Sequence, residues 1–293
     1  MNHSPALTEF ETHRRRLFGL AYRMLGSASD ADDVLQDAYL RWSGVAETAR
    51  EPAAYLTTIV TRLCLDTLTT ARAKRETYVG PWLPEPIPAE PEALGVEGRA
   101  ELNDTLSLAF LAVLERLTPL ERAVFLLRDV FGYDYAEIAA FVGRSEPACR
   151  KVLSRARRFV RENRPRLPAS ADAHRAILNT FLGAMATGDT AGLLALLHED
   201  VIVIGDGGGK AYAAPEPIAG VELVARFLAG LRRSMPTGYL AGVERINGWE
   251  ALVVRSPEGR PYAVLTIESD GHRVHAVRSV INPDKLRALV PPT

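Results

Sequence analysis

The side chains best placed to do chemistry lie between Thr118 and Arg161. There Arg150, Lys151, Arg155, Arg157, Arg158 and Arg161 fall on one stretch of helical periodicity. Guanidinium and ammonium groups in such a row donate to phosphates, and guanidinium forks also match guanine edges in a major groove. The elements that must carry them have their ends written in. Thr118 reads as an N-cap, with Pro119 at the first helical position and Glu121 placed to close a capping box. A second start follows at Asp134 with Glu137, and Gly143 supplies the left-handed residue that stops that helix. Ser145 caps the basic helix. Two helices joined by a tight Val142-Gly143-Arg144 turn, the second of them basic, have the layout of a helix-turn-helix. The plainer reading is a helical hairpin with a solvated basic face.

The 293 residues suffice for two or more domains, and 47% hydrophobic residues with 24% charged are ordinary for a globular chain. A formal charge of −1 gives no global nucleic-acid signature, so any such signal must be local. It is: from Arg144 to Arg166 nine Lys/Arg stand against Glu146 and Glu162. Cys64 and Cys149 are the only cysteines, which argues against a disulfide framework and for a reducing compartment. The N-terminus lacks the apolar core of a signal peptide, and no run approaches a membrane span, so a cytoplasmic protein is expected.

Three blocks are predicted: all-helical residues 8–76, all-helical residues 99–166, and a mixed block over 170–287. Residues 77–98 join the first two. Within them Pro81, Pro84, Pro86, Pro88 and Pro91 forbid helix, while Trp82 and Leu83 are too apolar for a plain spacer and should dock on something. In the first block Ser29 is read as capping a helix whose Ala31, Val34, Leu35, Ala38 and Trp42 form a core face. Asp30, Asp33 and Asp37, with Gln36, form an acidic stripe opposite, either merely solvated or a docking face for a basic partner. A helix from Pro52 buries Leu56, Ile59, Val60 and Leu63. Its other face, with Thr57, Thr58, Thr61, Arg62, Thr69, Arg72, Lys74 and Arg75, suits phosphates and unstacked bases. The last block reads as helices over 173–186 and 191–197, a strand at 201–204, a helix near 221–233, and strands near 251–255, 262–268 and 273–281. That order predicts an α+β domain, a curved antiparallel sheet with helices on one face.

The two helical blocks together resemble a bacterial sigma factor of the extracytoplasmic-function group. The segment DADDVLQDAYLRW (Asp30–Trp42) is similar to the region 2 helix that docks on RNA polymerase. The resemblance implies core-polymerase contacts at Asp30, Asp33, Gln36 and Asp37. Tyr55–Glu76 resembles the part that reads the −10 element, implying DNA contacts at Arg62, Thr69, Arg72, Lys74 and Arg75. Thr118–Arg161 resembles region 4, whose recognition helix reads the −35 element, implying contacts at Arg150, Lys151, Ser154, Arg155 and Arg158. Trp82-Leu83-Pro84-Glu85-Pro86, Asp206-Gly207-Gly208-Gly209-Lys210 and Asn282-Pro283-Asp284-Lys285-Leu286 resemble signatures of the J-like subgroup. That subgroup carries a C-terminal SnoaL-like domain, a cone-shaped α+β fold of the nuclear-transport-factor-2 type, thought to control the sigma factor in cis. A regulatory interface is therefore expected at Trp82, Leu83, Pro84, Asp206, Gly207, Gly208, Gly209, Lys210, Asn282, Pro283 and Asp284.

Residues 206–210 could instead cradle an anion through backbone N–H groups, but they lack Walker A spacing, and a turn that contacts the linker is the favoured reading. His272 and His275, three apart on one expected strand, should point to opposite faces, which argues against a shared metal. No cofactor, metal or catalytic activity is expected, although Asp206 is the nearest candidate acid for an enzymatic reading. The leading expectation is an initiation factor with core RNA polymerase and promoter DNA as partners, and no membrane partner. The rivals are a one-component helix-turn-helix regulator with a ligand-sensing domain, and a SnoaL-like cyclase or isomerase fused to a DNA-binding module.

Overall fold

The computed structural model describes residues 5–46, 48–88, 104–167 and 170–290, and the chain divides into two compact units. The first holds residues 1–76, 89–106 and 110–164. The second holds residues 77–88, 107–109 and 165–293. Linker residues 89–98, with Pro91, and residues 168–169 lie outside the described set.

The first unit is all-helical. Helices α1 (Pro5–Leu25), α2 (Ala28–Ser43) and α3 (Pro52–Glu76) pack on one another around Leu17, Leu20, Leu35, Trp42, Leu56 and Val60. Trp42 is buried whole because its indole N–H finds the Ala6 carbonyl at 2.8 Å. The cap of α2 differs from the expectation. Ser27 accepts from the Asp30 amide at 3.1 Å, and Ser29 lies inside the helix, since Gly26 ends α1 with a positive φ one residue earlier.

After α4 (Leu108–Leu114) come α5 (Pro119–Phe125) with a π turn over Leu126–Val130, then α6 (Tyr135–Val142) and α7 (Glu146–Glu162). The capping boxes at Thr118/Glu121 and Asp134/Glu137 form as read. Gly143 ends α6 at φ 64°, and Ser145 caps α7. Within this unit α3 packs on both α5 and α6. Buried arginines help to hold it together: Arg122 donates to the Met24 carbonyl at 2.5 Å and to Glu115 at 2.7 Å, and Arg23 reaches Thr105 at 3.2 Å. Burial pulls the Arg23 guanidinium down to about 10. Both cysteines are free and buried, and burial pushes the Cys64 thiol up, away from reactivity.

The second unit is α+β, as the resemblance implied. Helices α8 (Ala171–Thr187), α9 (Thr190–Leu196) and α10 (Val221–Ser234) accompany strands β1 (Leu197–Asp206), β2 (Ile218–Ala219), β3 (Leu240–Ile246), β4 (Trp249–Arg255), β5 (Pro261–Ser269) and β6 (Val274–Val280). The sheet order is β2-β1-β6-β5-β4-β3. It is not wholly antiparallel, because β1 and β6 pair in parallel, from Leu197↔Val274 to Asp206↔Val280. The chain reaches β6 only after β3–β5 have been laid down, and it enters beside β1 in the same direction. Periodicity did not reveal β3. It is an edge strand, exposed over most of its length, so LAGVERI shows no inward apolar row.

Alternation along the strands gives the sheet two apolar faces. Val203, Leu265, Ile267 and Val277 meet α8, α9 and α10 around Phe181, Leu178 and Leu228. Ala251, Val253, Val264 and Val280 face the other way, where Leu286 and Leu289 of a 3-10 segment (Pro283–Leu289) cover part of the surface and Leu83 covers more.

Candidate nucleic-acid and regulatory interfaces

On α2, the core face Ala31/Val34/Leu35/Ala38/Trp42 is buried, and Asp33, Gln36 and Asp37 are exposed on the other side, with Asp30 half-buried. Leu40, 63% exposed, continues that row one turn further. Spacing of three, four and seven residues puts Asp33, Gln36, Asp37 and Leu40 on one face, acidic with an apolar end.

The polar face expected on α3 divides in two. Thr57 and Thr61 are buried, not displayed, and Thr57 meets the Tyr133 hydroxyl at 3.0 Å. Arg62 lies at the surface, but its guanidinium donates to the carbonyls of Ala140 at 3.1 Å and Phe141 at 3.2 Å. Those are last-turn carbonyls of α6, where unpaired C=O groups and the helix dipole both attract a cation. Thr69 is exposed, its hydroxyl turned back to the Leu65 carbonyl. Arg72, Lys74 and Arg75 belong to the last turns of α3, and their side chains lie outside the described set.

Helix α7 buries Cys149, Val152, Leu153, Ala156 and Val160, and this places Arg150, Lys151, Ser154, Arg155 and Arg158 in solvent. Arg150, Ser154, Arg155 and Arg158 line a cleft of about 400 Å³ with Arg161 and Tyr135. Arg150 lies 4.1 Å from the Tyr135 ring centre and bonds Glu146 at 2.9 Å, while Arg155 bonds Glu121 at 3.2 Å. These are surface pairs, easily exchanged for phosphate. Arg157 differs, since Asp129 holds it by two bonds of 2.6 and 2.9 Å, which raise its pKa. Arg161, one turn beyond Arg158, lines the same cleft and was not among the residues expected to contact DNA.

The linker and the C-terminal sheet meet within the second unit, around Asp206. Its carboxylate is wholly buried at the end of β1 and accepts from the Tyr78 hydroxyl at 2.5 Å, the Leu83 amide at 2.7 Å and Lys285 Nζ at 2.7 Å. Lys285 also donates to the Leu83 carbonyl at 2.5 Å and lies 3.9 Å from the Trp82 ring centre. Asn282 donates to the Tyr78 oxygen at 2.9 Å. Burial first, and then the bond to Asp206, hold that phenol well above its ordinary pKa.

Further along, the Ile87 amide donates to the Asn247 side chain at 3.0 Å, and the Asn247 amide donates to the Ile87 carbonyl at 2.9 Å. Asn247, at φ 52°, and Gly248, at φ 80°, form the two-residue turn between β3 and β4. Prolines in this segment carry no N–H to satisfy, so bonding the Leu83 and Ile87 amides lets a backbone without secondary structure lie on a sheet. Leu83, Pro84 and Ile87 are buried there and Trp82 is half-buried.

The glycines have geometric reasons. At Gly208, φ 57°, a Cβ would collide with the Asn282 amide and the Tyr78 hydroxyl, and at Gly207 with the Ala211 carbonyl. Lys210 pairs with Asp284, and Pro283 opens the 3-10 segment behind Asn282. The structure thus brings together Trp82, Leu83, Asp206, Gly208 and Asn282, and adds Tyr78, Lys285 and Asn247. A buried lysine leaves no periodic trace, and a tyrosine just outside a proline run carries no signal of its own.

Asp206 offers no accessible carboxylate for acid–base chemistry. His272 proves to sit in the turn before β6, with its amide on Asp270, so the expected same-strand relation to His275 fails. Among the described residues no three His, Cys, Asp or Glu side chains group as metal ligands, and no helix is long and apolar enough to cross a membrane.

Family models for Sigma-70 region 2 and Sigma-70 region 4 match residues 10–74 and 107–160. The chain is similar to the ECF RNA polymerase sigma factor SigJ of Mycobacterium tuberculosis, 36% identical over 95% of this chain and 92% of that protein. It is also 34% identical to the probable ECF sigma factor SigI of the same species, over 68% and 69% of the two chains. The crystal structure of M. tuberculosis SigJ superposes with a TM-score of 0.76 at 32% identity, covering 96% of this chain and 98% of that one. A likeness that runs through both helical regions and the C-terminal α+β domain shows that this chain belongs to the extracytoplasmic-function sigma factors of RNA polymerase.

Proposed function

We propose that this protein binds core RNA polymerase through the Asp33/Gln36/Asp37/Leu40 face of α2, with Asp30 at its edge. It directs promoter-specific initiation by reading the −10 element with the C-terminal turns of α3 and the −35 element with α7. The functional divisions of this reading are residues 8–76, 77–98, 99–166 and 170–287. The observation that carries it is the α7 cleft. Five exposed arginines line it on a capped helix-turn-helix, and the surface pairs made by Arg150 and Arg155 are ones that phosphates can replace. The exposed acidic face of α2 supports an initiation factor over a one-component regulator, which needs no such docking face.

The linker gives the C-terminal domain its role in cis. While residues 77–88 cover the sheet their course is fixed, and once released they can span at most about 40 Å in any direction. Docking thereby limits how far the −35 reader can move from the −10 reader once α3 and α6 part.

Pull-down of core polymerase with the full chain, followed by run-off transcription, tests both parts. Asp33→Arg and Asp37→Arg abolish capture while circular dichroism stays unchanged. Capture that survives both removes α2 as the docking face. Trp82→Ala alters run-off from a cognate promoter, and unchanged run-off removes the role in cis.

A further inference from the structure

Two arginines of the α7 cleft are fixed before any DNA arrives, and in different ways. Asp129 takes Arg157 by two bonds of 2.6 and 2.9 Å, which spends donors of that guanidinium and offsets its charge. Arg150 instead lies over an aromatic ring: its Cζ is 4.1 Å from the centre of the Tyr135 ring, in a cleft that both residues line. Attraction between a cation and a ring face acts on the charge as a whole, so it fixes the group without spending its hydrogen-bond donors. The Arg150 bond to Glu146, at 2.9 Å, comes from Nη2 and is an exposed pair that DNA can displace at little cost.

The ring is itself anchored. Tyr135 is the first residue of α6, directly behind the Asp134 cap, and it is half-buried. The Arg128 guanidinium lies 5.1 Å from the same ring centre, and its Nη1 donates to the Tyr133 carbonyl at 2.7 Å. A long side chain in solvent keeps many rotamers and must give them up on binding, whereas one already laid on a ring gives up less. Arg150 also sits in the N-terminal half of α7, the part of a recognition helix that meets base edges, and a guanidinium fork matches guanine there. We propose that Tyr135 is a positioning residue for base recognition: its ring holds the Arg150 guanidinium in the pose that reads a guanine of the −35 element. The proposal rests on α7 being the −35 reader, and it makes specificity at that base depend on a side chain of α6 that need touch no base.

The test is competition binding with holoenzyme reconstituted from core polymerase and the full-length chain. Its readout is the ratio of affinities for a cognate promoter and for the same duplex with the −35 element scrambled. Tyr135→Leu, which stays apolar and loses the ring, should lower that ratio about two- to fivefold, the worth of one exposed cation–π contact. Tyr135→Phe should restore the wild-type ratio, because the ring returns. In an Arg150→Ala background Tyr135→Leu should lower the ratio no further, since it acts through Arg150. A ratio lost in Arg150→Ala but kept in Tyr135→Leu overturns the proposal alone. So does Tyr135→Phe as damaging as Tyr135→Leu, which marks a hydroxyl contact, or a further loss in the Arg150→Ala background, which marks a structural effect. An unchanged ratio in Arg150→Ala itself refutes base reading by Arg150, and the proposal falls with it.

Discussion

Replacing Asp206 by alanine tests most directly how the linker is held. The substitution removes the acceptor for Tyr78, for the Leu83 amide and for Lys285, whose side chain is only 7% exposed. Taking away one partner of a buried ion pair costs about 3–5 kcal/mol, because the remaining charge is stranded. What keeps the linker down is chiefly the burial of Leu83 and Ile87, worth about 1.5–3 kcal/mol each, or about 3–6 kcal/mol together. The two quantities are of similar size, and undocking lets Lys285 reach water. The linker should therefore leave the sheet in a large fraction of molecules. The helix-covered core around Phe181 and Val203 contains no part of the cluster, so the domain itself stays folded. Amide hydrogen exchange at Leu83 and Ile87 reads the result. Protection should fall by tenfold or more at both, while amides of β4 and β5 stay protected. Unchanged protection at Leu83 and Ile87 would refute the view that this carboxylate organises docking.

Three further outcomes follow from the geometry. Arg62→Met removes two bonds to the α6 carbonyls and should lower the stability of the helical unit by about 1 kcal/mol in urea unfolding. A loss confined to promoter affinity would mark Arg62 as a DNA reader and no clasp. Arg150→Ala should cost about 1–3 kcal/mol against a cognate promoter and little against scrambled DNA, whereas Arg158→Ala should chiefly flatten the salt dependence. Equal losses on both DNAs would remove Arg150 from the base readers. Burial holds His174 below its ordinary pKa of 6.5, so on acidification the unfolded chain takes up its proton first. Stability conferred by the neutral imidazole is complete above pH 6.5 and is lost as pH falls toward the lower folded value. His174→Phe should flatten the urea midpoint between pH 7 and 5, and an unaltered slope contradicts the assignment.

Local physics made much of this protein legible in its sequence. Capping and turn chemistry act within four residues, so Thr118/Glu121, Asp134/Glu137, Gly143 and Ser145 marked the helix-turn-helix ends where the structure has them. A 3.6-residue period likewise separated the buried and exposed faces of α2. Even the Ser27-for-Ser29 slip was a choice between neighbouring caps. The remainder was decided by contacts between residues far apart in the chain, which no local pattern encodes. Thr57 and Thr61 are buried, with Thr57 met by Tyr133, and Arg62 is occupied because α6 packs on α3. The β1–β6 pairing is parallel because of where the chain goes between them, and β3 is a strand only because β4 lies beside it. Apolar residues in a proline run required a cover. Which one they have, a bare sheet face with a buried Asp206–Lys285 pair at its edge, depended on folding residues 77–88 against residues more than a hundred positions away.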